Sequence, residues 1–172
     1  MLVTSMGSYH IIVFLGCLRL VSCNVKRVVR VDPSKLREVY EIECECFDQP
    51  YPLSYIKTLM ILANELFIVA LNDDGRVVGY AVAVRREHNV CHLASIAVKK
   101  ACWGKGIGRK LLNEIIHRCR NSGCNSIVLE VEYTNTRAQR LYRSLGFKPL
   151  TVIVDYYGPK RHAIVLVKTL IG

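Results

Sequence analysis

The sequence lacks the patterns that usually accompany a structural metal site. It contains eight cysteines, but no two of them form a C-x-x-C pair and its histidines do not cluster at zinc-ligand spacing. We therefore expect no structural zinc, and we expect the cysteines to be buried free thiols, which is a common environment for this residue type. Disulfides are the alternative, since intracellular proteins of hyperthermophiles contain them, and Cys46 is one candidate.

The sequence also has no apolar run long enough to cross a bilayer. Residues 11–18 are apolar, but no Lys or Arg precedes them and Arg19 ends the run. We therefore predict no export signal, although residues 20–23 resemble a lipoprotein cleavage box. Low-complexity segments, repeats and Pro/Gly/Ser-rich linkers are absent as well. We expect one domain over residues 25–172, and residues 1–24 are interpreted as a loosely attached extension or an upstream start-site artefact.

Acidic residues are few, with 14 Asp and Glu against 24 Lys and Arg and a formal net charge of +10. A surface with this excess attracts anions, such as a phosphate-rich cofactor, a nucleic acid or an acidic peptide. Neither a helix-turn-helix nor a basic stripe interleaved with aromatic residues is visible, so we expect no specific nucleic acid as partner. Charge alone does not decide between the other two.

Regular periodicity begins at residue 25 and predicts a mixture of strands and helices. Strands are predicted over residues 25–31, 66–71, 76–85, 92–98, 126–132, 147–156 and 161–169. Helices are predicted to begin at Asp32-Pro33, near Ser54, near Ile107 and after Asn135, whose helix ends at Gly146. This pattern is typical of an α+β protein.

A glycine-rich segment, WGKGIGR over residues 103–109, joins a predicted strand to the next helix. Glycines at a helix N-terminus let backbone N–H groups and the helix dipole approach a phosphate, and Lys105, Arg109 and Lys110 add positive charge. The G-x-G-x-x-G spacing of dinucleotide sites and their later ribose-binding acid are absent. The segment therefore predicts a pyrophosphate site of another kind.

This turn resembles the coenzyme A motif of the GNAT superfamily of acetyltransferases, Gln/Arg-x-x-Gly-x-Gly/Ala after a strand, with Trp103 in the place of Gln or Arg. The resemblance extends from about residue 25 to residue 170. It implies the GNAT fold, a central mixed and mostly antiparallel sheet flanked by about four helices, and acetyl-CoA as co-substrate without a metal. The implied cofactor-binding residues are Ile96, Ala97, Val98, Gly104, Lys105, Gly106, Ile107, Gly108, Arg109, Asn135 and Tyr142.

A second block, LEVEYTN followed by A-x-x-LY and LGF, covers residues 129–147. It is similar to the RimI and archaeal Ard1 branch of GNAT enzymes, which acetylate protein N-termini. In RimI enzymes the glutamate of this motif is the general base and the tyrosine the general acid, which implies these roles for Glu130 and Tyr142. The chemistry needs such groups, because an α-amine with a pKa near 7.7–8.0 is only about a tenth neutral at pH 7. Core packing is the alternative for Tyr142, since it lies in an apolar stripe.

His92 is the alternative base. In archaeal Ard1-like enzymes a histidine stands three residues before the Ser-Ile-Ala-Val segment, and His92 occupies that place. Histidine is the side-chain type that changes charge nearest to neutral pH, although at a strand end it is often only a surface residue. Glu130 and His92 are expected on neighbouring strands, where they would share the proton transfer through a water molecule.

Substrate choice in this branch resides in the loop between the first two helices and in the last hairpin. The resemblance implies substrate binding by Tyr51, Tyr156 and Tyr157, and by Gln49, which stands where Ard1-type enzymes tend to carry a glutamate. Residues 160–162 replace the Gly-Glu-Asp that often follows the paired tyrosines. Ordinary packing is the alternative for the three tyrosines.

The resemblance thus implies a cytoplasmic N-acetyltransferase for protein N-termini, such as those of ribosomal proteins or nascent chains, with no membrane partner. A GNAT enzyme for a small-molecule amine or a lysine side chain is the alternative, because it would share the cofactor site. A lysine ε-amine is neutral in fewer than about one molecule in a thousand at pH 7, which mildly favours the N-terminal amine.

Overall fold

The computed structural model describes residues 21–171 of the chain. Its strands are β1 (Val25–Arg30), β2 (Phe67–Asn72), β3 (Val77–Arg85), β4 (Val90–Val98), β5 (Ser126–Glu132), β6 (Lys148–Ile153) and β7 (Ala163–Thr169). Its α-helices are α1 (Leu36–Cys46), α2 (Leu53–Ala63), α3 (Ile107–Asn121) and α4 (Thr136–Ser144).

The strands form one sheet in the order β1-β2-β3-β4-β5-β7-β6. Every neighbouring pair is antiparallel except β4 and β5, which are parallel. These two pair only between residues 90–92 and residues 126–128, so the second halves of both strands do not pair with each other. The arrangement confirms the predicted α+β fold with a mixed, mostly antiparallel sheet, and it leaves a gap between β4 and β5.

Consecutive residues of β3 show that α1 and α3 cover opposite faces of the sheet. The hydroxyl of Tyr80 contacts Glu43 of α1, whereas a Cβ atom at Gly79 would lie 3.1 Å from Leu111 of α3. Successive residues of a strand point to opposite faces. The core-facing stripe of α3 is the one that helical periodicity predicts: Ile107, Leu111, Leu112, Ile115, Ile116 and Cys119.

Two local signals near the ends of elements are confirmed, and one is corrected. The side chain of Asn135 accepts a hydrogen bond from the N–H of Ala138 at 3.0 Å, and Gly146 (φ 87°) follows the end of α4. The strand predicted over residues 147–156 ends earlier, at Ile153, and its partner begins only at Ala163. Asp155 and Lys160 adopt positive φ angles, so the chain turns between the two strands instead of extending them.

The expectation that the cysteines are free thiols is wrong for four of them. Cys23 is bonded to Cys102, and Cys91 to Cys124. These pairs are 79 and 33 residues apart, and no local pattern in a sequence reports such long-range proximity. The free cysteines among the described residues are Cys44, Cys46 and Cys119, so Cys46 does not form the disulfide considered above, and Cys17 lies outside the described residues.

Residues 21–24 contact the rest of the domain. Besides the Cys23 disulfide, the carbonyl of Ser22 accepts a hydrogen bond from the side chain of Asn72 at 2.8 Å, and Asn24 donates to Asp73 at 2.9 Å. This part of the predicted extension is therefore fixed to the sheet. Residues 1–20, including the apolar run and the first residue of the sequence that resembles a cleavage box, lie outside the described residues, and the domain division stays a prediction.

Candidate active site

The glycine-rich segment forms a turn between β4 and α3 that has the backbone geometry of an anion site. Gly104 and Gly106 have φ angles of 80° and 76°, and Gly106 is the N-cap of α3. A Cβ atom at either position would meet nothing within 4 Å, so the left-handed backbone, rather than lack of space, favours glycine here. The first N–H groups of α3 have no partner within their own helix and point out of its N-terminus.

A cavity of about 380 Å³ lies beside this turn. It is lined by most of the cofactor-binding residues that the sequence predicts: Ile96, Ala97, Val98, Gly104, Gly106, Ile107, Gly108, Arg109 and Asn135. Lys105 is exposed and is not part of the lining, and neither is Tyr142. The cavity therefore joins the strand edge to the turn along the path that a phosphate-bearing ligand would need.

The edge of β4 that faces the gap includes a carbonyl that is already bonded. Lys99 donates to Val78 of β3, and since bonding directions alternate along a strand, Val98 points its backbone groups away from β3. The Val98 carbonyl accepts hydrogen bonds from the indole nitrogen of Trp103 at 2.7 Å and from the thiol of Cys46 at 3.3 Å. Ile96, another of the β4 residues predicted to bind the cofactor, is two residues from Val98, so its backbone groups also point into the gap.

Trp103 also contacts a second residue of the cavity lining. The guanidinium carbon of Arg137, near the start of α4, lies 4.3 Å from the centre of the indole ring, and both side chains line the cavity. An arginine in this position is attracted by the negative face of the ring. Trp103 thus replaces the Gln or Arg of the motif with a side chain that connects the turn to α4, a contact that the sequence does not predict.

Glu130 and His92 meet at the closed end of the gap between β4 and β5. His92 is opposite Val128 in the parallel pairing, so Glu130, two residues further, lies on the same face of the sheet. His92 Nε2 and Glu130 Oε2 are 2.7 Å apart, and both side chains are mostly buried, with 24% and 18% exposure. The two groups are therefore in direct contact, which corrects the expectation of a bridging water.

The protonation of this pair follows from its contacts. The hydrogen bond from His92 holds the pKa of Glu130 below its ordinary value, although burial acts in the opposite direction. An ionised carboxylate only accepts, so the shared proton is on Nε2 of His92. The other ring nitrogen, Nδ1, is buried and has no hydrogen-bond partner within residues 21–171. Neither nitrogen of His92 is thus open to a substrate.

Tyr142 lies in α4 with 6% of its surface exposed. Burial, and then the nearby Tyr157, raise the pKa of its phenol. Its ring packs edge-on against Phe147, with 5.7 Å between the ring centres. The side chain is therefore part of the core, as the packing alternative states, but it also remains a protonated donor at neutral pH.

The tyrosines predicted to bind substrate lie close enough to Glu130 to be affected by its charge. Tyr51 comes from the loop before α2, and Tyr156 and Tyr157 come from the connection between β6 and β7. Burial is the largest cause of the raised pKa of all three, and the charge of Glu130 contributes to each of them. Two loops that are distant in sequence thus place aromatic side chains near one carboxylate, whereas Gln49 is exposed on the first loop.

The connection between β6 and β7 is also held by an ion pair that the sequence does not predict. Arg161 donates from Nε and Nη2 to the two carboxylate oxygens of Glu132 at 2.7 and 3.0 Å. The carbonyl of Arg161 accepts a hydrogen bond from the N–H of Tyr157 at 3.0 Å. Arg161 therefore ties the tyrosine-bearing connection to the end of β5, at Glu132, which lies two residues beyond Glu130 on the same face.

Neither a metal cluster nor a membrane-spanning helix is found in the described part of the chain. None of its groups of His, Cys, Asp and Glu could hold a metal ion. None of the helices over residues 21–171 is long and apolar enough to cross a bilayer.

Comparison with known proteins gives the following similarities. The profile of the Acetyltransferase (GNAT) family matches residues 36–147. An uncharacterized N-acetyltransferase of Methanocaldococcus jannaschii is 40% identical over 143 residues, which cover 82% of this chain and 90% of that protein. A ribosomal protein bS18-alanine N-acetyltransferase of Haemophilus ducreyi is 35% identical over 78 residues, or 43% of this chain and 54% of that protein. The crystal structure of Ard1 from Thermoplasma volcanium has a TM-score of 0.81 at 24% identity, covering 85% of this chain and 98% of that one.

Proposed function

Because the chain belongs to the GNAT family of acetyltransferases and is an N-acetyltransferase, we propose that it acetylates the α-amino group at protein N-termini. The observation that carries this proposal is that Tyr51, Tyr156 and Tyr157, from two loops distant in sequence, lie close enough to Glu130 to be affected by its charge, with the rings of Tyr156 and Tyr157 4.9 Å apart. In the proposed arrangement these aromatic side chains would flank the extended end of a peptide, and its amine would stop at the Glu130 carboxylate. The name of the Haemophilus ducreyi relative, a ribosomal protein alanine acetyltransferase, supports the same substrate class.

Acetyl-CoA is the proposed co-substrate, and it supplies the acetyl group as a thioester. The residues present fit it, because the amides at the start of α3 and the left-handed Gly104 and Gly106 leave an uncovered anion site. Arg109, which also lines the cavity, adds positive charge. The backbone groups of Ile96 on the gap side of β4 are in place to bind an amide-bearing arm that runs towards Glu130.

We assign Glu130 as the general base and His92 as a positioning residue. Both nitrogens of His92 are engaged or buried, which supports Glu130 as the group that meets the amine. Since its pKa is lowered, Glu130 stays ionised at neutral pH but is a weak base towards an ammonium. The ammonium therefore loses its first proton to water. Glu130 accepts the second proton of the amine as the N–C bond forms, because bond formation makes that N–H group acidic.

Tyr142 is the proposed general acid. Its raised pKa keeps the phenol protonated, so it donates to the thiolate sulfur that leaves when the tetrahedral adduct collapses. The proposed targets are N-termini of ribosomal proteins or nascent chains, and the proposed location is the cytoplasm, where acetyl-CoA is present.

The test is a comparison of matched peptides by mass spectrometry after incubation with acetyl-CoA. One peptide has a free N-terminus and an internal lysine, and its control differs only by a blocked N-terminus. We expect acetylation of the free N-terminus and none of the blocked peptide. The proposal would be contradicted if the lysine of the blocked peptide, or a polyamine or aminoglycoside assayed beside it, had a higher kcat/KM than the free N-terminus.

A further inference from the structure

Glu43, in the last turn of α1, is a buried carboxyl group without a cationic partner. Only 2% of its surface is exposed, and within residues 21–171 no Lys, Arg or His forms an ion pair with it. Burial raises the pKa of this group, against the effect of its hydrogen bonds. Burying a carboxyl group is costly unless its oxygens are bonded, so its contacts identify what it holds in place.

The two oxygens of Glu43 join the substrate loop to the sheet. Oε1 accepts a hydrogen bond from the backbone N–H of Tyr51 at 3.1 Å. Oε2 is bonded to the hydroxyl of Tyr80 in β3, which is itself 2.8 Å from the hydroxyl of Ser95 in β4. Ser95 precedes Ile96, whose backbone faces the gap where the cofactor arm is proposed to bind.

The loop has few other ways to be fixed. Pro50 and Pro52 flank Tyr51 and have no N–H groups, so Tyr51 carries the only backbone donor of this stretch. At the other end of the loop, the N–H of Phe47 donates to the carbonyl of Glu43 itself at 3.0 Å. One residue thus holds both ends of the segment over residues 47–51, through its carbonyl and through its side chain.

We propose that Glu43 is a positioning residue that fixes Tyr51 for binding of the acceptor substrate, an inference that rests on the proposed function. Tyr51 is one of the tyrosines that lie close enough to Glu130 to be affected by its charge, and its amide is held by a side chain that is also linked to β4. Loss of the Oε1 acceptor would let the loop move while the catalytic pair and the cofactor turn remain in place. The effect is therefore expected on KM for the acceptor and not on kcat.

The decisive variants are Glu43→Leu and Glu43→Gln. Leucine has a similar volume and removes the acceptor, and Tyr80 and Ser95 keep their mutual hydrogen bond, so the fold is retained. Glutamine keeps an oxygen for Tyr51. For Glu43→Leu we expect a rise of about tenfold in peptide KM, with kcat and acetyl-CoA affinity within about threefold, and about tenfold faster hydrogen exchange of the Tyr51 amide. Glu43→Gln should restore both quantities to within about threefold of wild type.

The matched control is Glu45→Ala. Glu45 also accepts a backbone N–H, that of Lys100 at 2.7 Å, but on the side of the cofactor turn. Exchange of the Tyr51 amide should not change in this variant. Unchanged exchange and KM in Glu43→Leu, or faster exchange with unchanged KM, would overturn the inference. If the wild type acetylates no peptide, the proposed function fails separately, and the inference is then judged on KM for the amine that is accepted.

Discussion

The sharpest prediction concerns Glu130→Gln, which removes the base and keeps the size of the side chain. A positioned base contributes about 10²–10⁴-fold to a rate, and we expect kcat to fall by that amount at pH 7. Part of this loss could arise because the variant no longer helps to deprotonate the substrate. An α-amine is only about a tenth neutral at pH 7 and almost fully neutral at pH 9. Raising the pH can therefore recover at most about tenfold in the variant. The remainder measures proton removal during N–C bond formation.

His92→Phe separates the base from the residue that positions it. Phenylalanine keeps the ring and removes the hydrogen bond that lowers the pKa of Glu130. The carboxylate is the active form above its pKa, so the acidic limb of the pH–rate profile that reports Glu130, below the one caused by protonation of the amine, should move upwards in pH in His92→Phe. We expect a loss of about tenfold or less at pH 7, and no further loss when His92→Phe is added to Glu130→Gln.

The assay is the initial rate of thiol release with a saturating peptide between pH 4 and pH 9, a working range of about five units in which amine and carboxyl groups both titrate. Acetyl-CoA affinity, measured by calorimetry, should remain close to that of the wild type, since Glu130 contacts no residue of the pyrophosphate turn. A Glu130→Gln enzyme that keeps more than a tenth of the rate at pH 7, or that regains the full rate at pH 9, would refute the assignment. An acidic limb that does not move in His92→Phe would refute the positioning role of the histidine.

Three further predictions address the cofactor turn, the first disulfide and the β6–β7 connection. Gly106→Glu should weaken acetyl-CoA binding, measured by calorimetry, by about a hundredfold. Gly106→Ala has the same backbone strain but no negative charge, so it should weaken binding much less. Equal losses in the two variants would argue against a phosphate site. Cys23→Ser opens a link across 79 residues and should lower the free energy of unfolding in urea by up to about 4 kcal/mol, a difference that must vanish under reducing conditions. Arg161→Gln should raise peptide KM about threefold by releasing Glu132, whereas Arg37→Gln, which breaks an exposed pair on α1, should not; equal KM values would contradict this.

The sequence predicts well those features that depend on neighbouring residues. The stripe of α3, the cap at Asn135 and the stop at Gly146 follow from side-chain periodicity and backbone preference, and they are confirmed. Nine of the eleven predicted cofactor-binding residues line the cavity, because a motif that joins a strand to a helix is local. Lys105 and Tyr142 do not line it, since Lys105 is exposed to solvent and Tyr142 is buried.

The contacts that the sequence does not predict join residues far apart in the chain. The direct bond between His92 and Glu130 depends on the register of β4 and β5, which no periodicity determines. The bonds of Glu43 to Tyr80 and Tyr51, like the two disulfides, depend on how helices and loops pack on the sheet. In sequence, Glu43 does not differ from a solvent-facing glutamate of an amphipathic helix such as Glu45, so its burial is visible only in three dimensions.

The disulfide between Cys91 and Cys124 lies where β4 and β5 are still paired, and it closes a covalent ring through the chain. The ring contains His92, the gap-facing edge of β4, the glycine turn and all of α3. A protease that cuts this ring once leaves both pieces attached, so a nicked enzyme runs as one band until it is reduced. The strand edge and the glycine turn proposed to bind the acetyl donor thus belong to a covalently closed loop of chain, whereas Asn135, Glu130 and Tyr142 lie outside it.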